Sequence, residues 1–259
     1  MINILNENKE SNFLIICDHA SKFIPPEYKN LGLDENVMDT HIAYDIGAKE
    51  VAICISNSLQ CPLVMSNFSR LLIDPNRGID DPTLIMKVSD GSVVQGNKKI
   101  SYLSKCGEKE DRISSFYNTY HNKISELINK SIQRDVFPAI ISIHSFTPFW
   151  RGTKRLIELG ILWDSDDRMP NIFFDYFRKN KDQLVIGDNR PYSGRMKNDT
   201  LYRHGTKNGL PNILIEIRQD LISNNIGQKY FAKLITEPLI ENNNNPKLFQ
   251  KKIYKSLAI

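Results

Sequence analysis

The chain has no C-x-x-C pair. Its four cysteines, Cys17, Cys54, Cys61 and Cys106, stand far apart, a spacing that excludes a zinc knuckle and a dithiol redox motif. Cys17 lies inside an apolar run and is expected to pack as a small hydrophobe. All four are expected to be free thiols in a reducing compartment. No apolar run approaches the ~20 residues of a membrane span. The opening stretch "MINILNENKESN" lacks the basic start and apolar core of a signal peptide. Charge of one sign is also scarce, since 34 basic residues against 30 acidic ones leave a formal net charge of +4. No Lys/Arg block rises above a solvated face, which argues against a nucleic-acid partner. No internal repeat and no linker interrupts the chain. These absences lead to the expectation of a cytoplasmic globular protein that binds neither nucleic acid nor membrane. A small anionic substrate is compatible with the mild positive charge.

The 259 residues, 41% hydrophobic and 25% charged, have ordinary globular composition and are enough for a sizeable core. Short apolar runs alternate with segments of helical periodicity. "NFLIICDHAS", "CPLVMSNFSRLLIDPNRG", "FPAIISIHSF", "KRLIELGILWD", "QLVIGDNRPYSG" and "PNILIEIRQDLI" contain the expected strands. Val37, Ile42, Ile46, Val51 and Ile55 predict one helix over about 35–60. Ile113, Phe116, Tyr120, Ile124 and Leu127 predict a second over about 110–134. Residues 171–180 and 227–243 predict two more. Residues 80–107 are expected to form a loop or small excursion, and 241–259 a weakly packed extension of a core spanning about 13–240. The alternation defines one α/β domain over 1–259, a three-layer sandwich with a mixed, mostly parallel sheet and helices on both faces.

Polar residues collect where strands end. His19 follows "FLIICD", His144 follows "AIISI", Glu216 interrupts "NILIEI", and Asn76 and Arg77 follow "LLIDP". Open α/β sheets bind ligands at the carboxyl ends of their strands. Imidazoles and carboxylates together suit a catalytic zinc ion, which takes three protein ligands and keeps a position for water. Each residue also has a structural reading. A lone strand-end histidine serves as a hydrogen-bonded core residue, Glu216 pairs with Arg218 two positions on, and Arg77 is a turn arginine in solvent. His41 and His121 fall on helical stretches and are expected to be exposed or capping. His204, in "YRHGTKNG", is expected in solvent.

At these residues the sequence resembles the N-formylglutamate amidohydrolase family. The matching segments are "CDHASKFIP", "THIAYDIGA", "FSRLLIDPNR", "SIHSFTP", "GDNRPYSG" and "LIEIRQDL", which together span about residues 13–240. That family is similar to the zinc carboxypeptidases, and the resemblance implies a zinc-exopeptidase-like fold holding one zinc ion. It implies His19 and His144 as ligands, Glu216 as general base and acid, and Asn76 with Arg77 as the grip on a substrate carboxylate. Where carboxypeptidases carry a ligand glutamate three positions after the first histidine, this chain has Lys22. The third ligand must then come from elsewhere: Asp45 first, as a residue of the first helix, then Asp18, then Asp74. Arg70 is either the donor to the developing oxyanion or a structural strand arginine. Arg151, Arg190 and Tyr192 are candidate substrate contacts. The expected reaction is zinc-dependent hydrolysis of an N-acyl amino acid, N-formylglutamate giving formate and glutamate. A zinc carboxypeptidase or other deacylase is the alternative enzyme. A metal-free binding protein of the same fold is the alternative from another class.

Overall fold

The computed structural model describes residues 1–101, 107–180 and 184–258. Cys106, with residues 102–106 of the expected loop, and Gln183 at the start of an expected strand lie outside the described residues. The strands are β1 (Ile2–Leu5), β2 (Phe13–Cys17), β3 (Leu63–Ser66), β4 (Val88–Ser89), β5 (Ser92–Val93), β6 (Ala139–Phe146), β7 (Phe149–Trp150), β8 (Thr153–Lys154), β9 (Leu159–Leu162), β10 (Ile186–Asp188) and β11 (Asn212–Arg218). The helices are α1 (Glu35–Met38), α2 (Ala48–Leu59), α3 (Glu108–Arg112), α4 (Asn118–Ile132), α5 (Arg168–Asn180), α6 (Thr200–His204) and α7 (Asn225–Glu241).

Among the described residues, seven strands form one sheet in the order β1-β3-β2-β6-β11-β9-β10. The central β3, β2, β6 and β11 run parallel. β1 joins antiparallel at one edge, and β9 joins β11 antiparallel, carrying a parallel β10 beyond it. Parallel strands are buried on both faces and read as continuous apolar runs, as "FLIIC" and "NILIEI" do. Alternation of side chains sends Phe13, Ile15, Ile141, Ile143, Ile213 and Ile215 to a core they share with residues of α2, α5 and α7. Leu14, Ile16, Ile140 and Leu214 go to the opposite core, shared with residues of α4 and with Leu201 of α6. This is the expected α/β sandwich with helices on both faces.

Several local expectations are corrected. The helix expected over 35–60 is split, because residues 39–47 form turns between α1 and α2. Thr40, His41 and Asp45 are poor helix formers at this break, and Gly47 takes φ +80° at the start of α2, which ends the helical path on that side. The second helix runs as α3, a π-turn over Ile113–Tyr117 and α4. Of the one or two strands expected in "CPLVMSNFSRLLIDPNRG", the structure has one, β3, followed by turns and bends. The loop or small excursion expected over 80–107 includes the small β4–β5 hairpin, which agrees with that reading. β1 was not foreseen. The tail expected to be weakly packed is tied down. Leu248 is buried in the core, the Phe249 ring meets Phe13 edge-on at 5.4 Å, and Lys252 N donates to Gly209 O at 2.8 Å. Leu248→Ala should therefore cost about 2–5 kcal/mol in urea denaturation, as a fully buried leucine does; a change under about 0.5 kcal/mol would mean the tail does not pack in solution.

Candidate active site

The site grows out of strand alternation. Once Ile141, Ile143, Ile213, Ile215 and Ile217 face one core, Ser142, His144 and Glu216 must face the other way. The parallel register of β6 and β11 then sets Glu216 directly beside His144. Across the antiparallel pair, Glu216 faces Gly160. A Cβ on Gly160 would lie 2.5 Å from Arg190 O and 3.2 Å from Glu216 Cβ, so only glycine leaves this space. Asp18 and His19 are the first residues after β2. Asp45 lies in the turn before α2 and not on a helix. Its backbone N donates to His19 O at 2.9 Å, and the Ser145 hydroxyl donates to Ile46 O at 2.9 Å. Gly47 closes the turn against the chain, where a Cβ would lie 2.3 Å from Ile222 O.

His19, Asp45 and His144 each offer one ligand atom, and the three atoms lie within 4.8 Å of one another. All three residues are buried. His19 Nε2 lies 2.7 Å from Asp74 Oδ1. A carboxylate accepts, so Nε2 carries the proton and Nδ1 keeps a lone pair. That Nδ1 is buried without a hydrogen-bond partner and lies 3.4 Å from Asp45 Oδ2. That approach calls for a cation between the two atoms, either a proton on Nδ1 or a metal ion. His144 Nδ1 is 2.8 Å from the same Asp45 Oδ2, and its Nε2 is 3.0 Å from Asp18 Oδ2. Each imidazole thus turns one nitrogen to Asp45 and the other to an outer carboxylate, Asp74 or Asp18. Histidine ligands are commonly oriented by such a second carboxylate. The group His19, Asp45 and His144 can hold a metal ion, and two imidazoles with one carboxylate suit zinc. Asp18 and Asp74, the other two candidates for third ligand, take the outer positions. Lys22 points away, half exposed, and pairs with Asp39.

Charge follows this arrangement. Burial pushes the Asp18 carboxyl up, but the His144 hydrogen bond and the charges of His144 and His19 outweigh it and hold it at about 2. Burial is likewise outweighed at Asp45 by His19 and His144, and at Asp74 by Arg70 and His19, so both lie below the usual carboxylate range. His144 is pushed well above the usual imidazole value, because Asp18 and Asp45 outweigh its burial. The imidazolium supplies the positive charge that a bound cation would supply in its place. Glu216 differs. Burial raises it to about 7, and its Oε2 is buried without a hydrogen-bond partner. Arg218, the pairing partner it was offered, instead bonds Asp220 at 2.8 Å.

His19, Asp45, Arg70, Asn76, Arg77, His144, Tyr192 and Glu216, eight of the ten expected site residues, line one cavity of about 230 Å³. Arg70 is committed to carboxylates, bonding Asp74 Oδ2 at 2.8 Å and Asp45 Oδ1 at 3.5 Å. The Arg77 side chain donates hydrogen bonds only to Asn76 O and Met196 Sδ among the described residues. Arg151 and Arg190 are exposed and do not line the cavity. Residues not foreseen also line it, among them His41, Phe146, Trp150 and Asp199. His121 and His204 are buried, contrary to expectation. His121 Nε2 donates to Pro75 O at 3.0 Å, which leaves its Nδ1 to accept from His204 Nε2 at 2.9 Å. Tyr117 donates to Arg77 O at 2.7 Å, and Thr200 N donates to Asn76 Oδ1 at 3.1 Å. The Pro75–Arg77 turn is therefore held from behind by α4 and α6. The sequence signal for this was the helical spacing that puts His121 one position from Tyr120 and four from Tyr117.

The fold and this pocket define an α/β protein with a buried imidazole–carboxylate centre at the carboxyl ends of its parallel strands. The N-formylglutamate amidohydrolase family model matches residues 11–223. The chain belongs to that family, and the family is one of hydrolases. Among solved structures, the chain is similar to the gene product Atu2144 from Agrobacterium tumefaciens. The TM-score is 0.85 at 32% identity, over 93% of this chain and 95% of that one. It shares its fold with the N-formylglutamate amidohydrolase from Ralstonia eutropha JMP134, with a TM-score of 0.58 at 18% identity over 95% and 98% of the two chains. No curated protein sequence matches. Among the described residues no helix is long and apolar enough to cross a membrane.

Burial, helped by the Arg203 charge, lowers His204 to about 4, whereas an unfolded histidine titrates near ~6.5. Between these values the unfolded chain binds more protons, so the contribution of this residue is full above ~6.5 and is lost as pH falls towards 4. From pH 7 to pH 5 the wild type should lose about 1–2 kcal/mol more stability than His204→Gln. Urea denaturation of both proteins at the two pH values checks this, and equal losses would contradict it.

Proposed function

We propose that the protein is a zinc-dependent amidohydrolase that removes the acyl group from N-acyl amino acids, with N-formylglutamate, cleaved to formate and glutamate, as its substrate. The observation that carries this reading is the meeting of His19 Nδ1, Asp45 Oδ2 and His144 Nδ1 beside a carboxylate, Glu216, that is buried with one oxygen unpaired. His19, Asp45 and His144 would hold one zinc ion. When bound, zinc lowers the pKa of water and polarises a carbonyl.

The rest of the chemistry falls to the chain's own side chains. Glu216 takes a proton from the attacking water and returns it to the departing amine nitrogen. Arg70, whose Nε is buried without a partner, is the donor nearest in kind to what a developing oxyanion needs. Arg77 supplies a planar guanidinium for the substrate carboxylate. Asn76 assists with its amide N–H₂, since its Oδ1 is occupied by Thr200 N. Tyr192 contacts the substrate from the cavity wall. Arg151 and Arg190, exposed outside it, are not needed for this scheme. The family description supports an amide substrate of this type. A cavity of about 230 Å³ is smaller than the pockets of drug-sized ligands and suits a small acyl amino acid. The free thiols Cys17, Cys54 and Cys61 support a reducing, cytoplasmic location.

Protein purified without added zinc should carry one zinc per chain by metal analysis, and His144→Ala should lose it. Glu216→Gln should keep the metal and lose turnover of N-formylglutamate by roughly 10²–10⁴-fold. A metal-free wild type that still binds acyl amino acids, or a fully active Glu216→Gln, would overturn the reading.

A further inference from the structure

Behind three aromatic rings of the cavity wall lies a guanidinium that forms no ion pair with a carboxylate among the described residues. Arg155 follows the β7–β8 hairpin and is half-buried. Its guanidinium carbon lies 5.4 Å from the ring centre of Phe146, 5.2 Å from that of Trp150 and 5.1 Å from that of Tyr192. All three rings line the cavity. Among the described residues the side chain donates one hydrogen bond, from Nη1 to the Tyr192 hydroxyl at 2.9 Å. Guanidinium has five N–H donors in a fixed plane, so most of them remain to be used. The Tyr192 hydroxyl accepts from Arg155 and still has its own O–H to donate. No acceptor for that proton lies within hydrogen-bond reach among the described residues.

The arginines at this cavity thus divide in two. Arg70 is spent on Asp45 and Asp74. Arg77 feels the charges of Asp74 and Asp199, but neither Arg77 nor Arg155 makes an ion pair with a carboxylate among the described residues. A substrate with one carboxylate needs one guanidinium, and Arg77 in its braced turn supplies it. Arg151 is not an equivalent to Arg155, because it is exposed and stacks only on its neighbour Trp150, at 5.7 Å. Three rings fix the Arg155 plane, and rigid positioning of a planar fork is what bidentate recognition of a carboxylate requires.

We propose that Arg155, with the Tyr192 hydroxyl, is the specificity-determining pair that binds a second, side-chain carboxylate of the substrate. The inference rests on the hydrolase reading above and deepens it. What it adds is the pair of residues that would select for the acidic side chain, neutral side chains being disfavoured because they leave the guanidinium unpaired.

The test compares N-formylglutamate with N-formylglutamine, which has nearly the same shape without the second charge. The zinc-loaded wild type should favour the acid in kcat/KM by about 100-fold or more, as expected when a site built to pair a polar group meets an analogue lacking it. Arg155→Gln should bring that ratio within about tenfold, mainly through KM for the acid, and Arg155→Lys should restore part of it. Tyr192→Phe keeps the ring and should lower the ratio by about tenfold, an independent measurement should Arg155→Gln fail to fold. An unchanged ratio in both Arg155→Gln and Tyr192→Phe would overturn the inference. So would equal hydrolysis of the two compounds by the wild type, with the hydrolase reading left standing. Hydrolysis of neither compound by the zinc-loaded enzyme would instead remove the hydrolase reading, and this one with it.

Discussion

Two buried atoms that need a cation between them face each other 3.4 Å apart at the centre of this protein, His19 Nδ1 and Asp45 Oδ2. Nothing about a buried lone pair beside a carboxylate is favourable by itself, since an unsatisfied buried polar atom costs about 1–3 kcal/mol. The surroundings hold it in place. Asp74 fixes the His19 tautomer through Nε2. Asp18 orients the His144 ring through Nε2, together with the Ser142 hydroxyl at 3.0 Å. Ser145 N donates to Asp45 Oδ2 at 3.2 Å. Thr200 donates to Asp18 Oδ1 at 2.6 Å. Local polar strain supported from many sides is the usual mark of a binding site.

The same chemical group has opposite electrostatics a few ångströms apart. Asp18, Asp45 and Asp74 are each held low by imidazole or guanidinium partners that outweigh burial. Glu216 is buried just as deeply but has no such hydrogen-bonded partner, so burial wins and the carboxyl rises. Divergent environments for neighbouring carboxylates separate groups that hold charge from groups that move protons. A comparable division runs through the arginines, where Arg70 is locked into the carboxylate cluster and Arg77 and Arg155 are not.

Much of this was legible in the chain. The apolar runs marked β2, β6, β9 and β11, and period-two alternation put His144 and Glu216 on one face, away from the isoleucines. A carboxylate inside "ILIEI" signalled an unusual demand before any partner was known. Other parts were hidden. Asp45 looked like a residue of a long helix, because the apolar spacing from Val37 to Ile55 continues through a break whose main marks are Gly47 and a few poor helix formers. His121 and His204 looked exposed, because neither residue carries in its own neighbourhood any trace of the other, 83 positions away. Arg218 looked like the partner of Glu216 by strand parity, but Asp220 competes for it more closely. The tail looked loose from its asparagines, while Leu248 and Phe249 lie just beyond them.

The sequence by itself determined the α/β alternation, the faces of the strands and the identity of the residues able to do chemistry. These follow from interactions within a few residues, such as side-chain periodicity, turn formation and helix propensity, and from the motifs that mark the family. Only the tertiary structure decided which carboxylate stands between the two histidines, which nitrogen of each ring is left to face it, and which arginines remain outside any ion pair among the described residues. The decisive contacts join His19 to Asp74, His144 to Asp45 and His144 to Asp18, over separations of 55, 99 and 126 positions. Hydrogen bonds over such distances depend on strand order and register, which no local pattern encodes.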